Sequence, residues 1–200
     1  LFYGENAAFG GANYEIVPAS AVTGGQSYLR YNFVAAPVGG IQVDGNLADW
    51  TGAPLATDAD DVTGANNPID IRELRLDNDA NKFYLAYVNE SPVTLNWGYT
   101  LYLDTDSQAN TGFSMWAVGA EYMIQGTDLY RYTGTGNDWN WTWVATLETA
   151  VNGNVLEAAF PKTSLGNATS IRLAFYGENA AFGGTATDVV PQNAQGAATG

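Results

Sequence analysis

The sequence predicts an all-β protein, an antiparallel, jelly-roll-like β-sandwich of about nine strands with an N-terminal connecting strand. Three observations carry this expectation. Short runs of β-branched and aromatic residues recur between clusters of Gly, Asn, Thr and Asp. Several runs alternate with a period of two. No segment sustains the 3.6-residue periodicity of an amphipathic helix.

Across Gln26–Val34, Leu29, Tyr31 and Phe33 alternate with Tyr28, Arg30 and Asn32, which turns one face of a strand inward. Further strands are expected at Ile71–Leu76, Lys82–Val88, Tyr99–Asp104, Glu121–Ile124, Leu129–Tyr132, Trp139–Val144, Val155–Phe160 and Ser170–Tyr176. The turn formers in Asn78–Asn81, Thr133–Asp138 and Asn152–Asn154 separate neighbouring runs and predict antiparallel hairpins. Pro161–Gly166 reads as a single helical turn, and Trp50 as a core anchor. Residues 192–200 lack apolar anchors and read as a flexible linker.

The decapeptide FYGENAAFGG at Phe2–Gly11 recurs unchanged at Phe175–Gly184, and Val17-Pro18 recurs as Val190-Pro191. Residues 1–22 are therefore expected to be the closing segment of a preceding copy in a tandem array, or a strand donated to a neighbouring molecule. The break at Ala35–Gly40 sets a connector strand, residues 23–38, apart from a β-sandwich module over residues 39–191. So apolar a connector needs a partner, either the following module or a neighbour, because an unpaired strand edge invites aggregation. Phe2, Phe9, Leu29, Tyr31 and Phe33 are the expected assembly contacts, and neighbouring copies of the chain the expected partners. A head-to-tail contact that does not close into a ring builds a filament.

Composition narrows the chemistry. With 200 residues there is room for one well-cored domain and its flanks. The chain has no cysteine and no histidine, which removes disulfides, thiolate nucleophiles and imidazole bases together. Seven basic residues face 21 acidic ones, a net charge of -14 that repels phosphate backbones, so nucleic acid is not an expected partner. No apolar run approaches the roughly 18 to 20 residues that span a bilayer, and membrane insertion is not expected. The abundance of Gly, Asn and Thr fits an extracellular or cell-surface location.

Val43-Asp44-Gly45 with Asp49-Trp50, Asp70-Ile71, Phe83-Tyr84-Leu85, Leu103-Asp104-Thr105-Asp106 with Thr111-Gly112, Gly119-Ala120-Glu121-Tyr122, and Phe160-Pro161 with Ser164-Leu165-Gly166 occur in that order. The series resembles the extracellular β-sandwich modules grouped with family 9 carbohydrate-binding modules and the wider DOMON-like set, over roughly Ile41 to Phe175. The resemblance implies a non-catalytic, calcium-stabilised module, repeated within large secreted proteins and in some members sugar-binding.

Asp104, Asp106 and Asn110, followed by Gly112, crowd oxygen donors behind a strand, as a calcium site requires. The spacing is not that of an EF-hand, and the same residues also suit an Asx-turn loop that caps its own backbone. Asp58, Asp60 and Asp61 with Asp70 read as a solvated acidic loop rather than a second site. Trp139, Trp141 and Trp143 alternate, so a regular strand projects all three from one face. Packing inside the sandwich or between modules is the simpler account of the row; stacking on the sugar rings of a polysaccharide is the alternative. Glu121 and Glu157 are the two carboxylates that a glycoside-hydrolysing pair would use. Pairing with Arg72 or Arg172, or simple exposure, explains them better, and no catalytic residue is assigned. The expected function is a non-catalytic extracellular module that assembles end to end, with carbohydrate binding as the alternative.

Overall fold

The computed structural model describes residues 28–33, 40–60, 62, 69–93, 99–116, 118–166, 168–178 and 187–191, together with the backbone of residues 4–5 and 14–15. In chain order the strands are β1 (Gly4–Glu5), β2 (Tyr14–Glu15), β3 (Leu29–Asn32), β4 (Ala56–Thr57), β5 (Ile71–Asn78), β6 (Lys82–Asn89), β7 (Tyr99–Asp104) and β8 (Phe113–Met115). They continue with β9 (Val118–Ala120), β10 (Tyr122–Gln125), β11 (Asp128–Tyr132), β12 (Trp141–Thr146), β13 (Glu148–Asn152), β14 (Val155–Pro161), β15 (Ser170–Glu178) and β16 (Thr187–Val190). Among the described residues, short 3-10 turns lie at Leu47–Asp49 and Lys162–Leu165, the second where a single turn is expected.

The fold is all-β and antiparallel. One sheet runs β12-β11-β10-β7-β15-β16, with β3 also on β15, and the other runs β13-β14-β6-β5-β4. Alternation explains how they close on each other. On β7, Leu101 and Leu103 point inward; on β15, Ile171, Leu173 and Phe175 do the same. They meet Phe83, Leu85 and Tyr87 of β6 and Leu156, Ala158 and Phe160 of β14 in one buried cluster. Hairpins fall at the predicted turns, β5–β6 across Asp79–Asn81, β11–β12 across Thr133–Asn140 and β13–β14 across Gly153-Asn154.

Sequence patterning does not find β4, β8, β9, β13 or β16. Two- to four-residue strands are too short to show a period. Strand β13 sits at a sheet edge with Val151 exposed, so its burial pattern is not apolar-in and polar-out.

The segment before the second sheet is held by a single carboxylate. Glu157 of β14 is fully buried, and its Oε2 accepts the backbone N–H groups of Asp44 (3.0 Å), Gly45 and Asn46 (3.1 Å). Its Oε1 accepts the indole Nε1–H of Trp50, whose ring is buried with Tyr84, Ala86 and Ala159 on the outer face of the second sheet. Charge-assisted bonds to backbone donors replace the water that this carboxylate loses.

Strand β3 pairs with β15 of the same chain, Ser170 against Asn32 through Leu173 against Leu29, so of the two partners expected for it the strand takes the module that follows. Leu29, Tyr31 and Phe33, expected as contacts between units, pack on this chain's own core, and the Tyr31 hydroxyl donates to Asn78 Oδ1 at 2.8 Å. Tyr31, Phe33 and Phe83 form a mutual edge-to-face cluster with centroids 5.6 to 5.8 Å apart. Phe2, Phe9 and residues 192–200 lie outside the described residues.

The duplicated ends have the same backbone pairing. Gly4 faces Glu15 and Glu5 faces Tyr14, while Gly177 faces Asp188 and Glu178 faces Thr187. These are equivalent positions of the repeat, so the two copies form one hairpin in one register.

Glu157→Ala leaves three backbone donors and one indole donor without their acceptor, and is expected to destabilise the fold by about 3 kcal/mol or more. Urea unfolding followed by tryptophan fluorescence checks this; a loss under about 1 kcal/mol contradicts the assigned role.

Candidate metal centre and aromatic face

The outer face of the larger sheet is where polar chemistry gathers. Because β7 alternates, Tyr102 and Asp104 point away from the core that takes Leu101 and Leu103. The β8–β9 hairpin folds over this face, burying Phe113, Val118 and Ala120 against Tyr102, Met123 and Ala174. Asp104 is consequently fully buried although it faces outward.

Loop 105–112 is built on three carboxylates. Asp104 Oδ1 accepts the N–H groups of Asp106 (3.2 Å) and Ser107 (2.6 Å), an Asx turn in which Ser107 takes a left-handed φ of 63°. Asp106 Oδ1 accepts from Gln108 N at 2.8 Å and from the Thr111 hydroxyl at 3.0 Å. Glu121 Oε2 accepts Thr105 N–H at 2.8 Å and the Thr105 hydroxyl at 3.1 Å. Gly112, with φ of 66°, is required here, since a Cβ would lie 2.5 Å from the carbonyl of Ala120.

Asp104 and Glu121 thus each spend one oxygen on the loop. The other oxygens, Asp104 Oδ2 and Glu121 Oε1, are buried without a hydrogen bond. One oxygen from each of Asp104, Asp106 and Glu121 lies within 4.8 Å of the others, a buried-to-exposed acidic group that could hold a metal ion. Burial is the main cause that raises the carboxyl pKa of both Asp104 and Glu121; Asp106 also raises both, against backbone N–H bonds and, for Asp104, the Arg172 charge, which lower it.

The sequence placed Asp104 and Asp106 in this loop but not Glu121. Asn110 is exposed on the same loop, and Glu121 is the third acidic group that converges. Strand pairing was the available signal: Tyr122 of β10 faces Leu103 of β7, which sets Glu121 beside Asp104. Glu157, the other carboxylate weighed against glycoside hydrolysis by its residue type, is bonded to the Trp50 segment. In the second acidic loop, Asp70 is buried, accepts Val62 N–H at 3.3 Å and lies 3.9 Å from Arg72 Nη1; Asp60 is exposed, and Asp61 lies outside the described residues.

Searches of protein-family models and of curated proteins find no match to this chain.

The tryptophan row divides. Strand β12 begins at Trp141, with Trp141 opposite Tyr132 and Trp143 opposite Tyr130. The Trp141 ring packs on Tyr132 and Phe113, with centroids 5.0 and 5.5 Å away. Trp139 precedes the strand, stands edge-on to Phe113 and to Trp141, and is 41% exposed. Trp143 is 58% exposed and donates its indole N–H to Asp128 Oδ1 at 3.1 Å. The Trp139 and Trp141 rings are inclined 68° to each other rather than coplanar, and Trp143 is the most exposed of the three.

Two measurements follow from these positions. In chelator, the raised pKa values of Asp104 and Glu121 mean that the folded state binds more protons than the unfolded chain between about pH 4 and the raised values. Their contribution to stability is complete below about pH 4 and is lost as pH rises. Asp104→Asn should therefore gain melting temperature relative to wild type as pH increases from about 4 to 7 in chelator. Thermal melts at several pH values check the sign; a difference independent of pH contradicts it. For the aromatic face, Trp141→Ala is expected to destabilise by roughly 2 kcal/mol and Trp143→Ala by less than about 1. Equal losses in urea unfolding would contradict the division.

Proposed function

We propose that this chain is a non-catalytic, calcium-binding β-sandwich module that meets copies of itself end to end, as a tandem array or a filament outside the cell. The observation that carries this reading is the shared register of β1–β2 and β15–β16.

The physical argument concerns what the first copy retains. In β15–β16, Phe175, Val189 and Val190 are buried, and Asp188 Oδ2 accepts Ile71 N–H at 2.7 Å. Gly177 allows Ile69 to approach so closely that a Cβ would lie 3.1 Å from its carbonyl oxygen. The equivalent positions are Phe2, Ile16, Val17, Glu15 and Gly4, so the apolar groups, the carboxylate and the glycine all recur. A two-stranded hairpin by itself is marginal in water. The place such a hairpin fits in the sandwich of residues 28–191 is already filled by β15–β16, so the first copy suits a second sandwich. The sequence from residue 18 to residue 28 then connects that hairpin to β3.

The acidic group supplies the second part of the reading. Carboxylate oxygens are hard donors and favour calcium over softer metals in an oxidising, thiol-free module. Asp104 and Glu121 would offer Oδ2 and Oε1, and the ion would fasten the β7 end to the β9–β10 junction.

A two-unit chain tests the assembly reading. Residues 28–173 placed ahead of Leu1 give the first hairpin the strand that precedes the second one. Amides of residues 4–5 and 14–15 should then be protected from hydrogen exchange to the same degree as those of residues 177–178 and 187–188. Rapid exchange at the first hairpin alone would refute the proposal. Carbohydrate binding is the second reading, favoured by the open Trp143 ring beside Asp128 on the sheet's outer face. Retention on polysaccharide that disappears in Trp143→Ala, with an unchanged melt, supports it; equal retention of both proteins removes it.

A further inference from the structure

We propose that Arg172 is the charge-balancing residue of the acidic pocket and sets its preference for a divalent over a trivalent cation. This rests on the reading of Asp104, Asp106 and Glu121 as a cation site.

Arg172 on β15 is the cross-strand partner of Asp104 on β7. Its Nε lies 4.0 Å from Asp104 Oδ2, and both atoms are buried with no hydrogen bond. A charge-assisted bond between them would close to about 2.7–2.9 Å. The guanidinium is instead held over the ring of Tyr28, 4.7 Å from its centroid, and Tyr28 is fixed by the strand that begins at the next residue. Arg172 thus adds a positive charge to the pocket wall without occupying the Asp104 oxygen that faces it. Had it closed onto Oδ2, the pair would be an ordinary buried ion pair with no open ligand.

The count of charges then has a consequence. Three carboxylates and Arg172 leave the group two charges negative, which a divalent ion neutralises; Arg30, opposite Arg172 on β3, is exposed and its charge is screened by solvent. A trivalent ion leaves one uncompensated positive charge in a partly buried site, where charge interactions are weakly screened. Without Arg172 the balance moves by one unit and a trivalent ion becomes the neutral fit.

The test is calorimetric titration of the full chain with calcium alone and with lanthanum alone. Variants Arg172→Gln and Arg172→Met remove the charge in two shapes, and Arg172→Lys retains it. Circular dichroism before titration identifies the variants that fold. The ratio of lanthanum to calcium affinity is expected to rise by ~10-fold or more in the neutral variants and to stay within ~3-fold of wild type in Arg172→Lys. A ratio that is the same in wild type and in the folded neutral variants overturns the role of Arg172 while leaving the cation site in place. An equal rise in Arg172→Lys overturns it too, because the plane of the side chain and not its charge would then matter. Wild-type protein that binds neither ion overturns the site and this inference together.

Discussion

The buried carboxylate of Glu157 is the constraint on which the second half of the sandwich depends. Strand β14 lies between β13 and β6, and its side chain at position 157 points away from the main core, to a face that would be bare sheet. By binding three consecutive backbone N–H groups and the Trp50 indole, Glu157 draws residues 41–50 across that face and covers it. Ile41, Val43 and Leu47 then pack beside Trp50, Tyr84 and Ala159. The burial of Trp50 depends on the bond to its indole, and the charge on Glu157 is tolerable only because the loop surrounds it with donors. Each is a condition for the other.

The same device recurs through the molecule. With seven basic residues against 21 acidic ones, most acidic groups have no cationic side chain to pair with, and without cysteine the chain cannot fasten loops with disulfides. Carboxylates bonded to backbone N–H groups of distant segments perform both tasks. Asp188 of β16 takes the N–H of Ile71, tying the closing strand to the opposite sheet; Asp70 takes the N–H of Val62; Asp104 shapes its own loop. The Asp104 group differs from Glu157 in its open oxygens and in the convergence of three carboxylates. Glu157 has a donor at each oxygen, whereas Asp104 Oδ2 and Glu121 Oε1 have none. Fastening and ligation use one chemistry, and the difference between them is an unclaimed lone pair.

The sequence exposed this architecture unevenly, for physical reasons. Long central strands such as β6 and β7 are legible because apolar residues crowd them, and Asn-Asp-rich turns mark where they reverse. Strand β16 is four residues long and looks like loop; its neighbour β15 decides that it is a strand. Asp104 and Asp106 were visible from local crowding, but Glu121 reaches them through the antiparallel pairing of β10 with β7, a contact between segments that no local spacing encodes. Trp141 and Trp143 alternate faithfully, yet they differ in environment because the β8–β9 hairpin covers one and stops short of the other. Periodicity gives the face of a sheet, and coverage of that face depends on a different part of the chain.

Coverage also governs the edge at which copies would meet. Strand β15 has β7 along one side; its other side is shared, with β3 against residues 170–173 and β16 against residues 175–178. Two short strands from opposite ends of the chain thus lie end to end and together close an edge that a single long strand would otherwise occupy. An edge filled in this way resists uncontrolled pairing. It also gives the repeat its meaning under the proposed function. The first hairpin carries the residue types that suit the β16 half of that edge, but in its own sandwich the position is taken. The β3 half, by contrast, occurs once and is used at home. Under that reading the hairpin of residues 4–15 suits the edge of another copy, and a head-to-tail contact of this kind repeats in one direction.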